Sequence, residues 1–356
     1  MLTLLCPDTL PEPPTTDPGD DASARAVDSA THPVAGAASR FAPLKQRLRR
    51  ARPGIRWHEE ATIARRSPLE SWITQCFGLP AGVWPAAYGR FAGCVADRSA
   101  NDTGDVCRLA QGQLRSELTI RPAHLHAGLD HLVLQPPAML EVTTQEAEQL
   151  VISANDFLRD DGISLRVLTA DYWVLDTGTR FDVDLSSAEQ AIGRNVDAYM
   201  PAGKDGRKLR SLLNELQMLW HDHPVNQQRD DNGHTRINTV WAEGYCDPLV
   251  TDMTTHGFRQ IFCTQPAMAG LAQAQGIPCT PLAANSDIAA QLNGVSNELR
   301  QHSLVELPPG PQVLTAVLSA FPNLDAQLVM SNSKTWVAVD IRPTDQLKFW
   351  RRWNLG

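Results

Sequence analysis

The sequence predicts an α/β protein with a mixed sheet, flanking helices and a disordered N-terminal arm. From about residue 115 onward, short runs rich in β-branched and aromatic residues alternate with segments of helical period, the pattern of helices packed on a sheet. The run FRQIFCTQPAMAGLAQAQGIPCTPL reads strand, helix, strand with short connections, for which parallel pairing through a right-handed crossover is expected. Residues 1 to about 38 are rich in Pro, Asp, Ala, Ser and Thr, and carry too little apolar surface to offset the entropy of ordering them.

Four regions follow along the chain. Residues 1–66 form the arm, acidic first and then basic, because RFAPLKQRLRRARPGIRWHEEATIARR holds nine Arg or Lys against two Glu. Phe41, Leu44 and Leu48 share one side of a short helix there, and the segment reads either as a solvated linker or as an arm for a protein partner. Residues 67–114 are helical, with breaks at Gly78-Leu79-Pro80 and between Asn101 and Gly104.

Residues 115–295 form the main α/β domain. ELTI and HLVL are strands, and TTQEAEQLVISANDFLRDDG is a helix with Thr143 or Thr144 as N-cap, Glu146 in its first turn and Gly162 past its end. SLRVLTADYWVLD is a hairpin. In the next helix Leu209, Leu212, Leu213, Leu216, Leu219 and Trp220 make a core stripe. Its other face, with Asn214, Gln217, Met218 and His221, carries little charge, which points to a covered face or a cavity wall. Residues 296–356 form a C-terminal α+β extension packed on that domain: the strand LVEL, a helix near VLTAVLSAF, and the pair AQLVMSNSKTWVAVDI turning at Asn332-Ser333.

Charge and cysteine usage exclude several classes. A formal charge of −8 over 356 residues leaves no overall field for nucleic acid or an anionic membrane. Seven scattered cysteines without a CxxC pair fit reduced thiols in the cytoplasm rather than a disulfide framework. MLTLLCPDTLPEPP does not read as a secretory signal, and no apolar run reaches the roughly 18 residues of a membrane span.

The motifs give few chemical leads. His221 and His223 in HDHPVN are two apart, so on a helix they diverge and only in an extended segment share a face, where two more ligands are still needed and His234, Cys246 and His256 lack the spacing. His124 and His126 likewise share a face only if extended, with His131 beyond, and scattered histidines are more often surface or core residues than ligands. No metal and no cofactor is expected on these grounds. GxGxxG, GxxxxGKS and GxSxG are absent, and Cys263 at the end of a strand has no identifiable partner to lower its pKa. Pro224 breaks or bends the helix, after which Asn226, Arg229, Arg236 and Asn238, with His223, gather polar groups near a turn at Gly233. Two arrangements are open: a small-anion pocket for a phosphorylated or carboxylate ligand, or a network tying the helix end to the following strand.

NELQMLWHDHPVNQQRDDNGHTRIN resembles the helix, HPVN, arginine, glycine and asparagine pattern of archaeal-type cofactor-independent phosphoglycerate mutases. It is more similar still to the bacterial RpfE-type regulatory proteins, which resemble the middle, substrate-side part of those mutases. Supporting segments are RPAHLHAGLDHLVLQ, ANDFLRDDGISL, DYWVLD and the terminal FWRRW. The mutase resemblance covers residues 115–295 and implies an α/β architecture. The serine nucleophile and the acidic and histidine metal ligands of mutase chemistry have no match here. Where the mutases continue into a glycine-rich turn with an arginine, this chain reads WAEGYCDP. The resemblance therefore implies a non-catalytic regulatory protein, with a mutase-like or phosphohydrolase enzyme and an interaction scaffold as the alternatives.

Overall fold

The computed structural model describes residues 2–10, 52–58, 65, 67–79, 83, 85–95, 115–128, 131–246, 257–283, 287–293, 302–332 and 335–342. In chain order the elements are β1 (Leu2–Cys6), β2 (Arg52–His58), α1 (Pro68–Cys76), a 3₁₀ run (Pro85–Val95), β3 (Glu117–Ala123), β4 (Leu125–Ala127), β5 (Leu132–Leu134), α2 (Thr144–Phe157), β6 (Ser164–Val167) and β7 (Trp173–Asp176). There follow α3 (Ala188–Ala191), α4 (Gly206–His221), α5 (Pro224–Asp231), β8 (Thr239–Tyr245), β9 (Gln260–Cys263), α6 (Pro266–Ala274), β10 (Cys279–Pro281), α7 (Ile288–Asn293), β11 (Ser303–Glu306), α8 (Pro311–Ala320), β12 (Ala326–Ser331) and β13 (Thr335–Ile341). The α/β class with a mixed sheet and flanking helices is as expected.

Two compact units divide these elements: Met1–Glu60, Phe258–Thr264 and Thr280–Gly356 in the first, Ala61–Gly257 and Gln265–Cys279 in the second. The expected borders differ. Residues 296–356, anticipated as an extension of the main domain, belong instead with the first strand of the chain.

The first unit is built on a seven-stranded sheet in the order β10-β9-β11-β1-β12-β13-β2. β1 is parallel to both β11 and β12, β11 is parallel to β9, and β13 turns back antiparallel to β12 and to β2. This corrects the reading of residues 1–66 as a continuous arm. LTLLC is a buried strand in the middle of the sheet, buried at every position, and such strands read as short continuous apolar runs rather than alternating ones. Part of the basic segment, RPGIRWH, is the edge strand β2. Residues 11–51 of the arm, with the helix expected around Phe41, the segment 96–114 and the terminal FWRRW lie outside the described residues. The βαβ reading holds in outline, since β9 and β10 are neighbours joined through α6. The β12–β13 hairpin closes with Asn332 N donating to Thr335 O and Thr335 N to Asn332 Oδ1.

The second unit centres on an antiparallel sheet, β6-β7-β3-β8, with a separate β4–β5 ribbon. α2 starts in a capping box: Thr143 Oγ1 accepts from Glu146 N, and Glu146 Oε2 from Thr143 N. It ends before Gly162, whose φ of 67° is the left-handed geometry that favours glycine. α4 buries Leu209, Leu212, Leu213, Leu216 and Trp220 against α2 and the sheet. Its other face is open rather than covered: Met218 is 79% exposed, and Asn214 and His221 are exposed with it. Weak charge was an unreliable guide there, because single exposed apolar residues are ordinary on protein surfaces.

α6 approaches the 3₁₀ run so closely that a Cβ on Gly270 would stand 1.7 Å from Tyr88 O. Backbone cannot give way as a flexible side chain can, so Gly270→Ala is expected to destabilise the chain by about 3 kcal/mol through overpacking, read from urea denaturation. A variant as stable as the parent would show that the helix can withdraw freely.

Candidate functional site

HDHPVN sits at a junction between two helices. α4 ends at His221, and Pro224 begins α5 rather than ending the helical path, because a proline at the first helical position lacks only a donor that would go unpaired anyway. His223 is the N-cap: its Nδ1 accepts from Val225 N at 3.2 Å, a role that requires the neutral ring, and burial pushes its pKa down.

Each residue expected in the anion pocket has protein partners. Asn226, 1% exposed, donates from Nδ2 to Trp220 O and Ile237 O and accepts Ile237 N on Oδ1, all at 2.8 Å. Arg229 donates from Nε to Thr235 O at 2.7 Å, from Nη1 to Glu146 at 2.8 Å, and from Nη2 to Leu140 O. Arg236 reaches Asp230 and His221 O, while Asn238 exchanges hydrogen bonds with the backbone of Leu125 at 2.8 and 2.9 Å. The five side chains thus point to different elements. Of the two arrangements the sequence allows, the structure displays the tie: an anion would have to displace a carboxylate and two carbonyls to reach the Arg229 guanidinium.

The first unit offers a different location, which the sequence reading approached only through Cys263. In open α/β sheets ligands bind beyond the carboxyl ends of the parallel strands. Here those ends are Cys263-Thr264 after β9, Glu306 at the end of β11, Cys6 to Thr9 after β1, and Ser331-Asn332 after β12. Glu306 is buried and accepts Thr264 N at 3.0 Å. Thr264 Oγ1 is buried without a hydrogen-bond partner among the described residues. Asp8 takes a φ of 49°, unusual for a residue with a side chain, and Thr9 donates to Cys6 O at 2.7 Å. The available signal was the lone carboxylate in the apolar run LVEL. Its position became meaningful only once β1 was known to lie beside β11.

The described residues at this edge do not make up the ligand set of a pair of metal ions. Among the described residues no three His, Cys, Asp or Glu side chains are grouped to hold one, either here or around His124, His126 and His131. His124 instead pairs its Nδ1 with Arg236 O at 2.9 Å, and Cys246 donates to Ala87 O. Among the same residues no helix is long and apolar enough to cross a membrane.

No family model matches the chain. Curated phosphoglycerate mutases are similar to part of it. The 2,3-bisphosphoglycerate-independent phosphoglycerate mutase of Methanosarcina mazei is 25% identical over 136 residues, 36% of this chain and 33% of that one. The enzyme of the same name from Methanosarcina acetivorans is 27% identical over 124 residues, 33% of this chain and 30% of that one. The chain spans about a third of the length of the curated relatives it matches. Among solved structures, the cofactor-independent phosphoglycerate mutase of Thermoplasma acidophilum aligns at 14% identity with a TM-score of 0.39, covering 96% of this chain and 89% of that one. The PH0037 protein of Pyrococcus horikoshii aligns at 12% identity with a TM-score of 0.44, covering 98% and 89%. By class this is an α/β protein with sequence similarity to phosphoglycerate mutases. The similarity is a distant one, to the archaeal enzymes, over about a third of this chain.

Proposed function

We propose that the chain recognises a phosphorylated small carboxylic acid, the ligand class named by its mutase relatives, at the carboxyl edge of the parallel strands in its first unit. The observation that carries this reading is the sequence relationship over 136 residues. Support comes from the edge itself, where Thr264 Oγ1 is a buried polar atom with no partner among the described residues. The described side chains do not fit the metal ions of mutase chemistry. The narrower reading, a regulatory protein of the RpfE type that binds without turnover, is favoured by one observation. The HPVN segment, on which the resemblance to both families rests, spends the polar groups of Asn226 and Arg229 on hydrogen bonds within the chain.

A coupled assay for conversion of 3-phosphoglycerate to 2-phosphoglycerate with added manganese, run beside a thermal-shift titration with 3-phosphoglycerate, separates these readings. Saturable stabilisation is expected, and Thr264→Val should weaken it about tenfold, the worth of one hydrogen bond to a charged group. Turnover would make the chain an enzyme. Stabilisation without turnover would select the regulatory reading, and neither would remove the ligand class altogether.

A further inference from the structure

The second unit holds a buried polar cluster of its own. Glu243 projects from β8 at 1% exposure, and its Oε2 accepts Ala188 N at 3.2 Å. Its Oε1 has no hydrogen-bond partner among the described residues and stands 3.7 Å from Arg121 Nη1, too far for a hydrogen bond. Glu70, from α1, accepts Ser67 N at 2.9 Å and Ser187 Oγ at 3.0 Å on the same oxygen. Glu189 on α3 faces both, Arg121 on β3 and Tyr172 ahead of β7 face Glu243, and Asp171 faces Arg121 and Tyr172 in turn. The single guanidinium is engaged by the more exposed Glu189 at 3.3 Å and stacks 5.1 Å over the Tyr172 ring.

The balance of charge follows directly. Glu243 shares the Arg121 guanidinium with Glu189 at the rim, Glu70 is held by hydroxyl and amide donors alone, and a buried carboxylate without full pairing is relieved most readily by taking up a proton.

We propose that this cluster is a proton-operated latch: a proton retained among Glu70 and Glu243 lets α1 hold the Ser187 turn, and that turn lie on β8, and its loss loosens α1. The latch does not depend on what the carboxyl edge binds. Burial first, and Glu189 second, push the Glu70 carboxyl up to about 7 against its hydrogen bonds from Ser67 and Ser187. The same two causes push Glu243 up to about 8 against Arg121. Both folded values exceed the ordinary carboxyl value of 4.5, so the folded chain holds protons that the unfolded chain releases. Stability is therefore fullest below about pH 4.5, falls as pH rises through about 7 and 8, and levels off above.

Thermal melting of the full chain from about pH 5 to about pH 9 tests the latch, with infrared spectroscopy of its carboxyl groups as an independent measurement. The wild type is expected to lose on the order of 3 °C per pH unit for each carboxyl still holding its proton. Glu243→Gln cannot ionise, so it should flatten most of that fall and melt above the wild type at alkaline pH; Glu70→Gln should do so to a smaller degree. In the wild type a protonated-carboxyl stretch should be present at neutral pH and vanish on titration to about pH 9, while α1 amides, corrected for intrinsic exchange, lose protection. Parallel melting profiles for wild type and Glu243→Gln would overturn the latch. If neither variant folds, the wild-type spectrum decides, and absence of that band at neutral pH would overturn it equally.

Discussion

Arg229→Ala is expected to lower the free energy of unfolding by about 3 to 5 kcal/mol, read as a fall in the urea midpoint at unchanged slope. The guanidinium side chain is 3% exposed and joins three stretches of chain: Thr235 beyond α5, Leu140 ahead of α2, and Glu146 in the first turn of α2. Truncation leaves two carbonyls and a carboxylate without their shared donor. Orphaned buried groups cost more than the net worth of the bonds they lose. Arg229→Lys should recover only part of the loss, since one ammonium cannot reproduce a planar fork aimed at three acceptors. The dependence on pH has a definite sign. Partial burial raises the Glu146 carboxyl, but the hydrogen bonds from Thr143 and Arg229 outweigh it and hold the pKa below the ordinary value. Its contribution is present above about pH 4.5 and lost as pH falls through the folded value, so the deficit of Arg229→Ala should narrow in acid. A variant that keeps its stability but no longer responds to 3-phosphoglycerate would instead make Arg229 a ligand-binding residue.

The same arginine marks the limit of what the sequence could disclose. That Asn226, Arg229, Arg236 and Asn238 are polar residues close to a glycine turn is a local fact, visible in the spacing. Which acceptors they take is not local, for Arg229 pairs with a carboxylate 83 residues away. Elements defined by nearby residues were legible for the same reason: the Thr143–Glu146 capping box, the β6–β7 hairpin, the α4 stripe and the turn at Asn332. β1 was not, because LTLLC is followed at once by low-complexity sequence and its partners β11 and β12 come from the far end of the chain. The carboxyl-edge site disappeared with it. Glu70 and Glu243 were equally hidden: each is an unremarkable glutamate in sequence, and only folding sets them on the adjacent residues Ser187 and Ala188.

Trp220→Ala should cost about 3 to 5 kcal/mol as well, but for an apolar reason, and the contrast with Arg229 is measurable. The indole is fully buried at the end of α4, meets Trp173 edge-on with ring centroids 6.1 Å apart, and donates from Nε1 to Leu150 O at 3.2 Å. It fills the space between β7 and α2, so truncation opens a cavity that the close-packed interior can only partly close. Leu150 O also accepts Ser153 Oγ at 2.8 Å, so the lost indole donor does not leave that carbonyl orphaned, and most of the cost comes from packing. Trp220→Phe, which keeps an aromatic edge, should therefore recover most of the stability even without the N–H. In the double variant with Trp173→Ala the losses should fall short of their sum by about 0.5 to 1.5 kcal/mol, the worth of the aromatic pair. Unlike the Arg229 deficit, none of this should change between neutral and acid pH. The Trp220 carbonyl holds Asn226 Nδ2 at 2.8 Å, so the packed end of α4 also positions the start of α5. A loss under about 1 kcal/mol would mean that the helix end is fixed by the polar ties alone, and that the tryptophan merely fills space that other side chains can occupy.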